Sequence, residues 1–292
     1  MFYNMDLKLQ SKMACLSDGE ENAIKTFQTP SHLEVEVSPL CLKQFKGEKV
    51  IVGHEKGAYI TSIDDCGSQE IVKRLDSEDD AEVASICIDV NNRDVFYATS
   101  ESKIFKFDYR CPLDKEVGCF TENRDEINSL EQNENGLLAS CDDSGECKIY
   151  DTKKDTLYRT LRNRHKNICS AGSFLKTRTD IIVTGGLDSQ LIAWNFVNVR
   201  PLQTISTQDL LQKLGDNSVA MFNPPMVHTI SSSSDGKLMA SGLGMLIIYV
   251  QLLNNKFGNI YIANIYDNMV VKYLIFANKS SDEVKQNQNP LI

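Results

Sequence analysis

The chain has little with which to do chemistry. Its 292 residues include four histidines and one tryptophan. Its nine cysteines form no CxxC pair and no paired Cys/His spacing, so a tetrahedral zinc site has no ligand set to draw on. There is no basic excess. Lys and Arg number 31 against 40 Asp and Glu, for a formal net charge of −9, which is the wrong balance for a duplex-binding surface. There is no long apolar run either. The longest, Leu243–Leu253, falls short of the roughly 20 residues that span a bilayer. The first twenty residues show no basic segment followed by an apolar core, so no signal peptide is expected. A GxSxG elbow is absent, and Gly242-Leu243-Gly244 lacks the third glycine and the following helix of a dinucleotide site. These absences lead us to expect a soluble chain that is not an enzyme. It should have no cofactor, no metal, no nucleic-acid partner and no membrane contact. An odd cysteine count without a framework reads as reduced, mostly buried thiols in a cytoplasmic or nuclear protein, although Cys141 and Cys147 are placed to face each other across a hairpin.

What the chain does have is a period. Strand-like runs end at Ile63-Asp64, Phe107-Asp108, Tyr150-Asp151 and Trp194-Asn195, with 44, 43 and 44 residues between them. A fifth candidate end is Tyr249-Val250, delayed by an excess at residues 206–226 in which Asp209–Leu214 reads as a helical turn. A second apolar run precedes each end, as in Val95-Phe96-Tyr97 or Ile181-Ile182-Val183, and turn formers such as Asp142-Asp143-Ser144-Gly145 separate the two runs. An earlier strand opens each repeat, for example Ile127–Leu130, and Leu157–Leu161 reads as an outermost strand. No 3.6-residue stripe is sustained, so the repeat unit is four strands and not a helix pair. The domain boundaries that follow are a partly disordered extension at 1–37, the repeat domain at 38–275 and a disordered tail at 276–292.

Three groups of residues are candidates for function. His165, Thr184, Asp188 and Trp194 share the best-preserved repeat. His165 with Asp188 can be read as a base and its orienter, but no nucleophile motif accompanies them. In the weaker repeats Glu101 occupies the Asp place of the second, and Ser144 that of the third with Asp143 one residue earlier. The second group is Phe107-Asp108-Tyr109-Arg110, a strand end followed by an exposed Arg whose planar fork suits a partner's carboxylate or carbonyl cluster. The third is the acidic run Asp76–Glu82, a solvated inter-repeat loop able to attract a basic segment.

The 44-residue period, with the His165, Thr184, Asp188 and Trp194 set inside it, resembles the WD-repeat β-propeller family. The resemblance implies an all-β fold of six to seven four-stranded blades, one C-terminal blade incomplete. It implies that Asp188 accepts a hydrogen bond from His165, which relays through Thr184 to the indole N–H of Trp194. These four are then structural bracing. Phe107, Asp108 and Arg110 are similar to the WDxR motif of propellers that dock on the adaptor of cullin–RING ubiquitin ligases. Further stretches, among them Asp125–Asn128, Asn135–Gly145 and His165–Ser170, resemble one branch of the family that includes substrate receptors of the cullin-four ligase. That likeness runs from Ser38 to Asn223, weakens over His228–Tyr249, and returns loosely at Asn259–Leu274. It implies a monomeric, non-catalytic scaffold whose partners are the damage-specific DNA-binding adaptor and a substrate protein. The alternative it leaves open is a general scaffold that binds a peptide or histone tail through its top face.

Overall fold

A computed structural model of the protein describes residues 38–47, 49–62, 69–71, 82–113, 115–213, 224–233, 235–243, 246–253, 256–264, 270–274 and 285–287. The chain divides into two units, residues 1–34 and 35–292, and every described residue lies in the second. The expected extension at 1–37 and the strand end Ile63-Asp64 lie outside the described residues, as does the acidic run apart from Glu82.

The described residues form five antiparallel sheets, each built from consecutive strands. The first holds β1 (Pro39–Phe45), β2 (Lys49–His54), β3 (Gly57–Ser62) and β4 (Gln69–Ile71). The second holds β5 (Ile86–Ile88), β6 (Val95–Ser100), β7 (Lys103–Asp108) and β8 (Gly118–Phe120). The third holds β9 (Ile127–Gln132), β10 (Leu137–Asp142), β11 (Cys147–Asp151) and β12 (Thr156–Leu161). The fourth holds β13 (Cys169–Phe174), β14 (Ile181–Gly186), β15 (Gln190–Asn195) and β16 (Arg200–Ser206). A short helix, α1 (Thr207–Lys213), follows in the expected insertion.

The fifth sheet departs from the expected plan. It joins six strands: β17 (Thr229–Ser232), β18 (Leu238–Leu243), β19 (Leu246–Leu253), β20 (Lys256–Asn264), β21 (Val270–Leu274) and β22 (Lys285–Asn287). Against six to seven expected blades, the late strands are laid onto one sheet, and β22 falls within the tail expected to be disordered.

The sequence pattern explains the packing. Second strands such as β6 and β14 are buried at every position, because both faces of each sheet meet a neighbouring sheet. One apolar cluster joins Phe45, Ile51 and Ile60 of the first sheet to Ile86, Phe96 and Phe107 of the second. A second joins Tyr97 and Ile104 to Leu130 and Tyr150, and a third joins Cys141 and Ile149 to Ile182 and Trp194. A fourth joins Val183 and Leu191 to Val227 and Met239. Each large apolar side chain buried in such a cluster contributes about 1.5–3 kcal/mol.

The period is also written in the backbone. Gly57, Glu101, Gly145 and Ser189 all have positive φ (143°, 50°, 78° and 60°), and each lies 44 residues after the last. These positions turn the second strand of a sheet into the third. They define an upper end of the sheets, where the chain also enters the first strands. The third strands finish at the opposite, lower end.

Candidate functional site

At the upper end of the fourth sheet, the four residues singled out by the repeat are in contact. Asp188 Oδ1 lies 3.0 Å from His165 Nδ1, and His165 Nε2 lies 2.8 Å from Thr184 Oγ1. The Trp194 indole N–H donates to the same hydroxyl at 2.9 Å. Asp188 Oδ2 accepts from the backbone N–H of Lys166 at 2.9 Å. Burial pushes the Asp188 carboxyl up, but His165 and the backbone donors outweigh it and hold the carboxyl below its usual value. The pair approaches this closely because position 186 is glycine. A Cβ there would meet His165 Nδ1 at 2.5 Å and Asp188 Oδ1 at 2.6 Å. The Thr184 hydroxyl that His165 faces is fully buried and also accepts from the Trp194 indole N–H, so the polar atoms of the set are spent inside the sheet. The arrangement closes the upper turn onto the entry of β13.

The third sheet does the same job with different residues. Asn123 Oδ1 accepts from Tyr150 Oη at 2.5 Å and from Ser140 Oγ at 3.1 Å, and Asn123 Nδ2 donates to Asp142 Oδ2 at 2.9 Å. Lys148 Nζ donates to Asp142 at 2.9 Å and to Glu146 at 2.7 Å. The Asp142 and Lys148 side chains are 0% and 4% exposed, so this is a buried ion pair. Ser144 keeps the place of Asp188, one residue before the positive-φ position, while the carboxylate that braces this turn is Asp142, which the repeat did not single out. Ser144 only donates to Asp142 at 2.5 Å, and Asp143 accepts from Asn128 at 2.7 Å. The second repeat needs a correction. Glu101 does not take the carboxylate place; it is the residue of positive φ in the turn, equivalent to Ser189.

Of the third candidate region only Glu82 is among the described residues. Glu82, Glu101, Asp125 and Asp143 crowd Glu126, and burial with their charges raises its carboxyl above the usual value.

At the lower end, Gln132 clamps the second and third sheets together. Its Nε2 donates to Asp89 Oδ2 at 3.0 Å and Thr152 Oγ1 at 3.1 Å, while its Oε1 accepts from the N–H of Val90 at 2.7 Å. Sequence reasoning missed this residue, and an isolated Gln carries no periodic signal.

Phe107, Asp108 and Arg110 also sit at the lower end, where β7 finishes. Phe107 is fully buried and stacks on Phe96 with ring centroids 5.1 Å apart, which fixes the strand end. Asp108 caps the loop by accepting from the Arg110 N–H at 3.0 Å. The Arg110 guanidinium then forks onto the same carboxylate, Nε to Oδ1 at 2.9 Å and Nη2 to Oδ2 at 2.6 Å. That hydrogen bonding holds the Asp108 carboxyl at about 2. The Arg110 side chain remains 61% exposed. Two of its five N–H groups face Asp108, and three are directed away from that carboxylate. Beside it, Lys46 pairs with Asp94, and Lys46 and Lys49 lie over the ring of Tyr109 at 5.7 and 4.9 Å from its centroid. The loop therefore presents a rigid cationic plane next to an aromatic ring. A second Arg–Asp fork, Arg178 on Asp180 at 2.7 and 2.6 Å, occupies the lower end of the fourth sheet.

Among the described residues, no three His, Cys, Asp or Glu side chains are grouped to hold a metal ion. No helix there is long and apolar enough to cross a membrane. Cys141 is paired opposite Cys147 in the hairpin, and both are free, buried thiols. Contact with Cys141 and burial raise the Cys147 thiol well above its ordinary value; at Cys141 the lowering contact with Cys147 is outweighed by the Cys169 contact and burial, so both are poor nucleophiles.

Comparison with known proteins agrees with this geometry. No family model matches the chain. A curated relative, the WD repeat-containing protein 53 homolog of Dictyostelium discoideum, is 25% identical over 255 residues, covering 80% of this chain and 69% of the relative. Among solved structures, the WD40 β-propeller domain of Doa1 superimposes with a TM-score of 0.51 at 19% identity. That match covers 68% of this chain and 58% of the Doa1 chain, so the chain spans somewhat over half the length of that structure.

Proposed function

We propose that this WD-repeat β-propeller is a non-catalytic protein-interaction scaffold that docks through Arg110 on the adaptor of a cullin-four ubiquitin ligase. The damage-specific DNA-binding adaptor is the partner, and a substrate protein held elsewhere on the chain is brought to the ligase. One observation supports this reading above the others: Arg110 is exposed yet held in a two-point fork on Asp108 beside the fully buried Phe107. An Arg that is pre-oriented loses less side-chain freedom on binding than a mobile one. The remaining N–H groups suit a carboxylate or a carbonyl cluster. The function is geometric: the docked scaffold sets a distance between substrate and ligase, and no bond is made or broken on this chain.

The test is recovery of the purified adaptor by the full chain and by Arg110→Glu. Recovery by wild type and loss by the variant is the expected result. Equal recovery by both, or none by either, overturns the adaptor reading. No recovery by either would favour a general scaffold whose contacts lie at the upper end of the sheets.

A further inference from the structure

The first strands of all five sheets, or the residues just before them, line one polar cavity of about 400 Å³. Its lower part is walled by Lys43 of β1, Glu131 of β9 and Lys176 just after β13. Neither lysine makes an ion pair among the described residues. Glu131 is engaged instead with the neighbouring sheet, accepting from the Ser173 hydroxyl at 3.2 Å and the Phe174 N–H at 3.3 Å. Two ammonium groups thus face a cavity that offers them one carboxyl, and that carboxyl already has partners. In a chain of net charge −9, these two exposed lysines place a local excess of positive charge at a half-open polar cavity.

We propose that the cavity binds a small anionic group, a carboxylate or a tetrahedral oxyanion, between the ammonium groups of Lys43 and Lys176. The source is a free anion or the acidic side chain of a partner peptide; both bring the same chemistry. Compact ammonium groups suit such a ligand as point charges, with the exposed hydroxyls of Thr229 and Ser231 on β17 as further donors.

Glu131 then sets the pH at which the site works. Burial pushes its carboxyl up to about 7, against the lowering pull of Ser173, Phe174, Lys43 and Lys176. Cys87, which packs near it from β5, is pushed up to about 12 and stays neutral, and His228 lines the same cavity ahead of β17. Ionised Glu131 repels an incoming anion and neutral Glu131 does not. Binding therefore tightens as the pH falls through about 7.

Titration calorimetry of the full chain with sulfate and with oxalate, at about pH 6 and about pH 8, tests this. A capped pentaglutamate peptide is the third probe. Saturable binding that is about threefold or more tighter at the lower pH is expected, with loss of about tenfold or more in Lys43→Gln/Lys176→Gln. Glu131→Gln should bind at the higher pH as well as wild type does at the lower. Tighter binding of the peptide than of oxalate identifies a partner side chain as the source, and the reverse identifies a free anion. Absence of binding by all three probes overturns the proposal. So does binding that the double variant leaves unchanged while its thermal midpoint matches wild type. Because Arg110 is not touched, failure here leaves the docking reading standing, and the converse also holds.

Discussion

The third and fourth sheets solve one problem with two chemistries. Each must tie its upper turn to the entry of its first strand and satisfy a polar tip on its third strand. The fourth sheet uses an indole, a hydroxyl, an imidazole and a carboxylate in series. The third uses a phenol, a hydroxyl, an amide and a carboxylate, and then compensates the buried carboxylate with Lys148. The comparison teaches that the repeat conserves a geometry and not a residue set. Moving 44 positions back from Trp194 and Thr184 gives Tyr150 and Ser140, the two residues that take their places. The difference is one of fragility. Both chains of bonds run through four groups, but only the third adds a buried ion pair, Lys148 on Asp142, whose loss leaves charge in the interior.

That contrast can be broken directly. Asp142→Ala leaves the buried Lys148 ammonium with Glu146 alone, strands the Asn123 amide N–H, and should cost about 3–5 kcal/mol, read as a fall in the urea midpoint. Gly186→Ala forces His165 and Asp188 apart in the fourth sheet and should cost about 2–3 kcal/mol in the same measurement. A fourth-sheet loss exceeding that of Asp142→Ala would refute the ranking.

The seam between the two sheets supplies a pH test. The Glu131 carboxyl is raised from an unfolded value of 4.5 to about 7. Between those values the folded chain holds a proton that the unfolded chain has released. Lowering the pH through about 7 towards 4.5 should therefore stabilise the protein, by on the order of 2 kcal/mol. Comparison of unfolding free energies at the two ends of that window checks this, and Glu131→Gln should remove this contribution. The smallest effect is expected from Tyr150→Phe, which deletes one donor to Asn123 and should cost about 1 kcal/mol.

Much of the fold was legible in the sequence because strand burial is periodic. The second and third strands each carry an apolar run, and their spacing survives in the positive-φ positions 57, 101, 145 and 189. The bracing of the fourth sheet was legible because Trp and His are rare here. The bracing of the third was not: Asn123 and Lys148 are common residue types, and only the fold shows that they are buried. Nor did the sequence reveal Gln132 or Glu131, whose roles depend on partners 42 or 43 residues away in neighbouring sheets. The pairing within the fifth sheet was not legible for a related reason. Strand-like runs at 256–264 and 270–274 are visible, but whether they start a new sheet or extend the last one is decided by pairing and not by composition.

The lower end offers the sharpest functional comparison, because it carries two similar Arg–Asp forks, Arg110 on Asp108 and Arg178 on Asp180. The direct measurement is the affinity of the purified full chain for the purified ligase adaptor, compared with Arg110→Glu and Arg178→Glu. The docking account predicts a loss of about tenfold or more for Arg110→Glu and no change for Arg178→Glu. Equal affinities for all three proteins, or equal losses in both variants, would contradict it.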